Sequence, residues 1–155
     1  MSAELVEVRL VELPVRLHLQ ASQHLDELRR ELSYVAVEPG SAPVRLGRLS
    51  ARIDAEFGAF TDGPRQELRA AVAAGLPTVD VAFRLPRHAG EEAAAADAML
   101  DEVEVFCREG GLLALAASAE VLAYRRWFFS EFTTQCAGEP PCPWSRWAAG
   151  DVATA

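Results

Sequence analysis

Hydrophobic and polar positions alternate close to the start of the chain, over residues 5–13. Val6, Val8 and Leu10 share one parity, and Glu7 and Arg9 lie on the other. A period of two is typical of a strand with one buried face, and Pro14 ends the pattern because proline lacks a backbone donor. The segment is therefore predicted to be the first strand.

From about Arg16 the apolar residues recur every three or four positions, which predicts an amphipathic helix. Its apolar face consists of Leu17, Ala21, Leu25, Leu28, Leu32 and Val35. Residues 38–41 read Glu-Pro-Gly-Ser, a combination that favours turns, so we expect the helix to end there.

The middle of the chain predicts two helices separated by a break. Apolar spacing indicates a helix over residues 43–60, and Thr-Asp-Gly-Pro at 61–64 interrupts it. Asp62 is suited to cap a short helix from Pro64 to Ala74. Pro64 agrees with this start, because proline is favoured in the first turn of a helix.

A second strand and a long helix follow this region. Residues 78–85 are predicted to form the strand, and Pro86 ends it as Pro14 ends the first one. The helix is expected over residues 91–108, and the glycine pair that starts at Gly110 is a strong C-terminal stop.

The last third of the chain is dominated by an aromatic helix. Residues 112–116 are apolar but too few for a helix, so they predict a short buried strand, and Ser118 can cap the helix that follows. Five of the twelve aromatic side chains fall within nine residues of this helix: Tyr124, Trp127, Phe128, Phe129 and Phe132. One face, with spacings of three and four, carries Val121, Tyr124, Phe128, Phe132 and Cys136. Such a face is most simply part of the core.

Together these elements predict an α/β fold: a helix-rich single domain in which a small sheet of two or three strands is covered by about five helices. The long connections between the strands allow parallel pairing, and the order of the strands is not readable from the sequence. Residues 136–147 contain three prolines and are expected to be irregular. We predict a domain over residues 1–147 and a flexible C-terminal tail over residues 148–155.

The composition limits the classes of partner. The formal net charge is −8 and all 15 basic side chains are Arg, a balance that disfavours nucleic acids and anionic membrane surfaces. No apolar run reaches the ~20 residues that span a bilayer, and no basic segment precedes an apolar start as in a signal peptide. We therefore expect a cytoplasmic protein with no nucleic-acid or membrane partner.

The chain carries no complete catalytic, metal or nucleotide motif, so we predict no catalytic residue, metal or cofactor. The three cysteines, Cys107, Cys136 and Cys142, are an odd number in a chain large enough to fold without disulfides, which favours reduced thiols. A Cys136–Cys142 disulfide and an enzyme with Cys107 or Cys142 as nucleophile are weaker alternatives. Packing of the proline-rich segment against the body of the domain accounts for these residues more simply.

The leading functional hypothesis is a non-catalytic regulatory or protein-interaction domain. Arg125, Arg126 and Trp127 are residue types enriched at interface hot spots, and Phe129 lies off the apolar face of its helix. We predict that these four side chains contact a protein partner or a second copy of the chain.

The alternative hypothesis is a sensor domain that binds a small molecule. Its pocket would lie between the sheet and the aromatic helix, lined by Tyr124, Trp127 and His88. A filled core without a cavity would remove this hypothesis.

Three segments carry a resemblance to a known group of proteins. They are residues 107–116, Cys-Arg-Glu-Gly-Gly-Leu-Leu-Ala-Leu-Ala, and the aromatic helix from Glu120 to Phe132, together with the opening at residues 8–15. They resemble small uncharacterised actinobacterial proteins found alongside anti-sigma kinases, STAS-domain antagonists and SpoIIE-type phosphatases. The resemblance implies a regulatory setting in a partner-switching system and assigns no catalytic residue. The strand–proline–helix opening is also similar to that of the anti-sigma ATP-binding domain, but the Glu-x-x-x-Asn and Asp-x-Gly-x-Gly motifs of that domain are missing.

Overall fold

A computed structural model describes residues 4–34 and 38–154 of the 155-residue chain. In chain order, these ranges hold β1 (Leu5–Pro14), α1 (Val15–Tyr34), α2 (Ala42–Ala73), β2 (Thr78–Pro86), α3 (Ala89–Glu109), α4 (Ala119–Cys136) and α5 (Trp144–Thr154). The predicted helix-rich α/β class, with a small sheet and five helices, is confirmed. Val35, predicted on the apolar face of the first helix, lies outside the described residues.

The chain order contains the same unit twice, a strand that ends in Leu-Pro followed by two helices. The first unit is β1–α1–α2, and the second is β2–α3–α4, with one 3₁₀ turn at Leu113–Leu115 between its helices. Two helices connect the strands, so that α1 leads away from the C-terminal end of β1 and α2 leads back to it. Strand β2 therefore begins beside that end. Accordingly the backbone N–H of Val15 donates to the carbonyl of Pro77 at 3.1 Å.

The two strands pair antiparallel, and Pro14 faces Thr78. The length of the connection also allowed parallel pairing, but the two helices in it return the chain to the end of β1 and so give the antiparallel pair.

A β-bulge interrupts the pairing of β1 between Leu10 and Leu13. Glu12 has a φ of 58°, and its backbone N–H donates to Oδ1 of Asp80 at 2.9 Å. The extra residue returns Leu13 to the inner face of the sheet, where it is fully buried although its parity is opposite to that of Leu10.

Helix α2 continues through the predicted break at residues 61–64. Pro64 lies inside this helix of 32 residues, although proline normally interrupts one. Phe57 and Leu68, on either side of Pro64, are both buried in the same core cluster. The predicted boundary is wrong because burial of apolar side chains on both sides of the proline favours one continuous helix.

The segment predicted as a third strand, residues 112–116, contains the 3₁₀ turn instead. Leu113 is 66% exposed and Leu112 and Leu115 are half-buried, so these three leucines do not form the buried strand face that was predicted. The prediction of an irregular segment over 136–147 is corrected at Trp144, where α5 begins. The carbonyl of Pro143 accepts the N–H of Trp147 at 3.1 Å in the first turn, a place where proline is compatible with a helix. The predicted domain limit at residue 147 and the flexible tail stay predictions.

The free edge of β1 is occupied by a side chain of α4. The backbone N–H of Arg9 donates to Oε1 of Gln135 at 2.8 Å, and Nε2 of Gln135 donates to the carbonyl of Arg9 at 2.9 Å. The buried amide thus replaces a third strand at this point and joins α4 to the sheet.

Glu131 extends this contact to the segment that precedes α5. Oε1 of Glu131 accepts from Nε2 of Gln135 at 3.1 Å and from the backbone N–H of Cys142 at 2.7 Å. Burial raises the pKa of Glu131, and these two hydrogen bonds partly oppose the shift. Because the folded-state pKa is raised, the contribution of Glu131 to stability decreases as the pH rises from the unfolded value through the folded one.

Two apolar clusters form the core. The larger cluster joins the inner face of the sheet to α2 and α4, with Leu13, Phe83 and Trp127 among its members. The smaller cluster lies among α1, α2 and α3, and half-buried Phe129 packs against both. Within the described ranges, none of the helices combines the length and the apolar character needed to cross a membrane.

Helices α3 and α4 approach each other closely at Gly90. A Cβ atom at this position would lie 2.8 Å from the Cβ of Cys136 and 3.3 Å from the carbonyl oxygen of Phe132. The hydroxyl of Thr133 donates to the carbonyl of Gly90 at 3.0 Å in the same contact. Only glycine allows this spacing without a shift of one helix.

We expect Gly90→Ala to destabilise the domain by about 1–3 kcal/mol, because the added methyl group forces the two helices apart. The control is Gly58→Ala in α2, where a Cβ atom meets nothing within 4 Å. That variant should be more stable by about 0.5–1 kcal/mol, since alanine favours a helix over glycine. Urea unfolding measures both changes. Equal effects of the two substitutions would contradict the close contact at Gly90.

Candidate functional site

Helix α4 has the core face that its sequence predicts. Ser118 is the N-cap, and its Oγ accepts the backbone N–H of Val121 at 3.2 Å, as expected. Along the apolar face, Tyr124, Phe132 and Cys136 are buried with Val121. Phe128 on the same face is half-buried, which leaves part of its ring at the wall of a cavity.

The predicted partner-contact residues do not share one exposed surface. Trp127 is 0% exposed, and its Nε1–H donates to the carbonyl of Cys142 at 2.9 Å. Phe129 is half-buried between the two core clusters. Arg126 is exposed, with Nη2 3.8 Å from Oδ1 of Asp101. A fully buried indole leaves no surface for a partner, so Trp127 is a core residue in this fold.

Arg125, the fourth of these residues, forms ion pairs within the domain. Its Nε donates to Oδ1 of Asp97 at 3.1 Å, and its Nη2 donates to Oδ1 of Asp101. The side chain is only 12% exposed. Arg125 thus fixes α4 against α3, and both of its partners are supplied by the domain itself.

Helices α1, α2, α3 and α4 line a half-open cavity of about 640 Å³, and Trp127 is not among its lining residues. Phe83 and Leu85 from β2 also line it. Most of the lining side chains are apolar, and Leu100, Val103 and Phe129 are typical of them. Each of the two strand–helix–helix units contributes two helices to this wall.

A polar pair, half-buried His18 and buried Tyr124, lies at the cavity wall. Nδ1 of His18 and the hydroxyl oxygen of Tyr124 are 2.6 Å apart, within hydrogen-bonding distance. Burial lowers the pKa of His18 and raises that of Tyr124 well above its ordinary value. Both rings are therefore neutral at physiological pH, and the pair gives the apolar wall one uncharged polar point.

The structure places the three predicted pocket residues differently. Tyr124 lines the cavity, whereas Trp127 and His88 do not. His88 pairs instead with Glu56, and its ring centroid is 5.3 Å from that of Phe57.

Sequence reasoning missed His18 as a lining residue. The available signal was its spacing: His18 precedes Ala21 by three residues and Leu25 by seven, so it lies on the apolar side of its helix.

The three cysteines are free thiols; Cys107 and Cys136 are buried and Cys142 is half-buried. Burial raises the pKa of each thiol, which opposes formation of the reactive thiolate. In the part of the chain that the structure describes, no three His, Cys, Asp or Glu side chains are grouped so that they could hold a metal ion.

Comparisons with protein-family models, curated proteins and solved structures found no match to this chain. The cavity and the residues around it are therefore the observations from which a function is argued.

The lowered pKa of His18 predicts a pH-dependent loss of stability. An unfolded histidine binds a proton near pH 6.5, but the half-buried ring of His18 binds it only at lower pH. As the pH falls from 7 to 5, the wild type should thus lose stability relative to His18→Gln, a variant that keeps a polar group near Tyr124. Urea unfolding at several pH values measures the difference in free energy of unfolding between the two proteins. Glu131 is present in both, so its opposite pH dependence cancels in this difference. If the stabilities of the wild type and His18→Gln changed in parallel with pH, the lowered pKa of His18 would be refuted.

Proposed function

We propose that this domain binds a small, largely apolar molecule in the cavity between α1, α2, α3 and α4, and that it acts as a sensor of that molecule. The cavity is the observation that carries the proposal. Its volume of 640 Å³ falls within the range of about 300–1,000 Å³ that is typical of small-molecule sites.

The largely apolar lining of the half-open cavity favours an apolar ligand. Apolar surface that contacts water there is removed from water when a ligand fills the cavity, which stabilises the complex. A chain that keeps such a space among four helices gains when a ligand fills it. An apolar wall with a few fixed polar groups, such as the His18–Tyr124 pair, is the usual composition of a ligand site.

The position of the cavity supports the sensor role. A ligand would contact α1 and α2 from the first strand–helix–helix unit and α3 and α4 from the second. The ligand would therefore stabilise one arrangement of the two strand–helix–helix units relative to others. Binding would increase the population of that arrangement, and this change is the signal of a sensor.

A role in partner-switching signalling, a cytoplasmic location and the absence of catalysis stay predictions. Of the side chains proposed for a partner surface, Arg126 is exposed, Trp127 is buried, and Arg125 is paired within the domain. The arrangement of these residues favours the ligand-binding alternative over the interaction surface.

The test is a titration with N-phenyl-1-naphthylamine, an apolar dye whose fluorescence increases in apolar surroundings. We expect saturable binding of one dye per chain with a Kd on the order of 0.1 mM or tighter, from the affinity per atom that ligands of this size reach. Ala93→Leu places a larger side chain on the cavity wall and should weaken binding by roughly tenfold, since it occupies ligand volume.

Two further variants control this experiment. Ala94→Leu adds the same atoms to the adjacent, exposed position of α3 and should bind as the wild type does. Ala21→Leu narrows the cavity from α1 and should reproduce the effect of Ala93→Leu from another wall. Circular dichroism confirms that each variant is folded. Absence of saturable dye binding, or equal binding by all four proteins, would overturn the proposal.

A further inference from the structure

The register of the sheet shows which backbone groups of β2 point away from β1. Arg9 faces Ala82 across the pair, and both backbone groups of Arg9 bond to Gln135 on the far side of β1. In an antiparallel pair, two facing residues either bond to each other or both point outward. The N–H and carbonyl of Ala82 therefore point to the free edge of β2, as do those of Asp80 and Arg84, two residues away on the same strand.

This edge of β2 is open to solvent. Asp80, Ala82 and Arg84 are exposed, whereas Val81 and Phe83 between them are buried on the inner face of the sheet. Among the described residues, none bonds to the outward N–H or carbonyl of Ala82 or Arg84. A row of open donors and acceptors beside exposed side chains is a template for another strand.

The charges along the edge indicate which strand fits it. Asp80 and Arg84 lie two positions before and two positions after Ala82 and carry opposite charges. If a second copy of β2 pairs antiparallel about a two-fold axis at Ala82, each Asp80 faces the Arg84 side chain of the other copy. Edge charges of a single sign would repel a second copy, which is one way in which edges are protected. The pattern of β2 attracts a second copy instead.

Both charged side chains are available for this pairing. No residue in the described part of the chain forms an ion pair with Arg84. Oδ1 of Asp80 accepts the backbone N–H of Glu12 at 2.9 Å, which holds the carboxylate in place, and no described group bonds to Oδ2. The oxygen that would meet a guanidinium is therefore free on a carboxylate that the bulge of β1 already orients.

We propose that two copies of this domain associate through β2, antiparallel about Ala82, so that the two sheets of two strands form one sheet of four strands. The pairing supplies about six backbone hydrogen bonds and two ion pairs between Asp80 and Arg84. Pro86 lacks an N–H and limits the pairing at the end of the strand. The inference goes beyond the ligand-binding function and does not depend on it.

The test is the molar mass by light scattering over concentrations from about 1 μM to about 1 mM, the range in which weak complexes form. The wild type should rise from the mass of one chain, 16.8 kDa, toward twice that mass. Ala82→Pro removes the central donor and should weaken association by at least about tenfold. Because the N–H of Ala82 faces solvent in the monomer, proline is compatible with this edge position.

Two charge variants and hydrogen exchange locate the contact. Arg84→Gln removes both ion pairs and should raise the Kd of the dimer about fivefold, whereas Arg48→Gln, at an exposed position of α2, should leave it unchanged. Amide exchange of Ala82 should slow as the concentration rises. The amide of Arg9, bonded to Gln135, should exchange slowly at every concentration. Circular dichroism confirms that each variant is folded.

Two results would overturn the proposal. A wild type that stays monomeric at every concentration would leave the edge of β2 to a strand of another protein or to solvent. A dimer that is equally stable in Ala82→Pro and Arg84→Gln, without concentration-dependent protection of the Ala82 amide, would lie on another surface of the domain. Dye binding to the cavity tests the ligand-binding function separately from either result.

Discussion

The fold depends on the pair of hydrogen bonds between the amide of Gln135 and the backbone of Arg9. A sheet of two strands has two free edges and is marginally stable alone, so its edges must be covered. Gln135 covers one edge and fixes the rotation of α4 at the same time. Glu131, one turn earlier, then holds Cys142, and Trp127 holds the carbonyl of the same residue. The sheet, α4 and the segment before α5 are thus joined by one buried polar network.

The rotation of α4 that this network imposes has a consequence on the opposite side of the helix. With Trp127 and Glu131 turned toward the sheet and the C-terminal segment, Tyr124, Arg125 and Phe128 face the other helices. These helices do not close over them completely. The cavity therefore lies where α4 must contact both strand–helix–helix units, and its polar groups are fixed by partners within the fold. The orientation of α4 thus places the buried polar network on one side of the helix and the proposed ligand site on the other.

Local sequence patterns predicted most elements because their ends carry strong signals. Pro14 and Pro86 end the two strands, and Ser118 caps α4. The misses have a common reason, which is that long-range packing overrode a local signal. The burial of Phe57 and Leu68 kept α2 continuous through Pro64. The antiparallel pairing and the bulge at Glu12 depend on contacts with residues about 65 positions away, which local patterns do not contain.

The candidate site was predictable only in part for the same reason. The aromatic density of α4 indicated the helix that matters, and Tyr124 was placed at the cavity by its position on the apolar face. Hot-spot composition favoured Trp127 as a contact residue, but a hydrogen bond to Cys142 makes it a core residue. Glu104, another lining residue, gave no signal, since a glutamate near the end of a polar helix is typical of a solvated face. Its Oε1 accepts the backbone N–H of Ala117 at 2.6 Å, a contact that local patterns did not reveal.

The existence of the cavity is the central claim, and xenon tests it most directly. Xenon binds at apolar cavity walls and shifts the methyl resonances of the residues that line them. Methyl ¹H–¹³C spectra under xenon pressure should show saturable shifts of Leu100, Val103 and Val121, while exposed Leu5 and Leu113 change little. Shifts that are absent, or that are equal at lining and exposed methyl groups, would mean that the four helices pack without a cavity and would contradict the account.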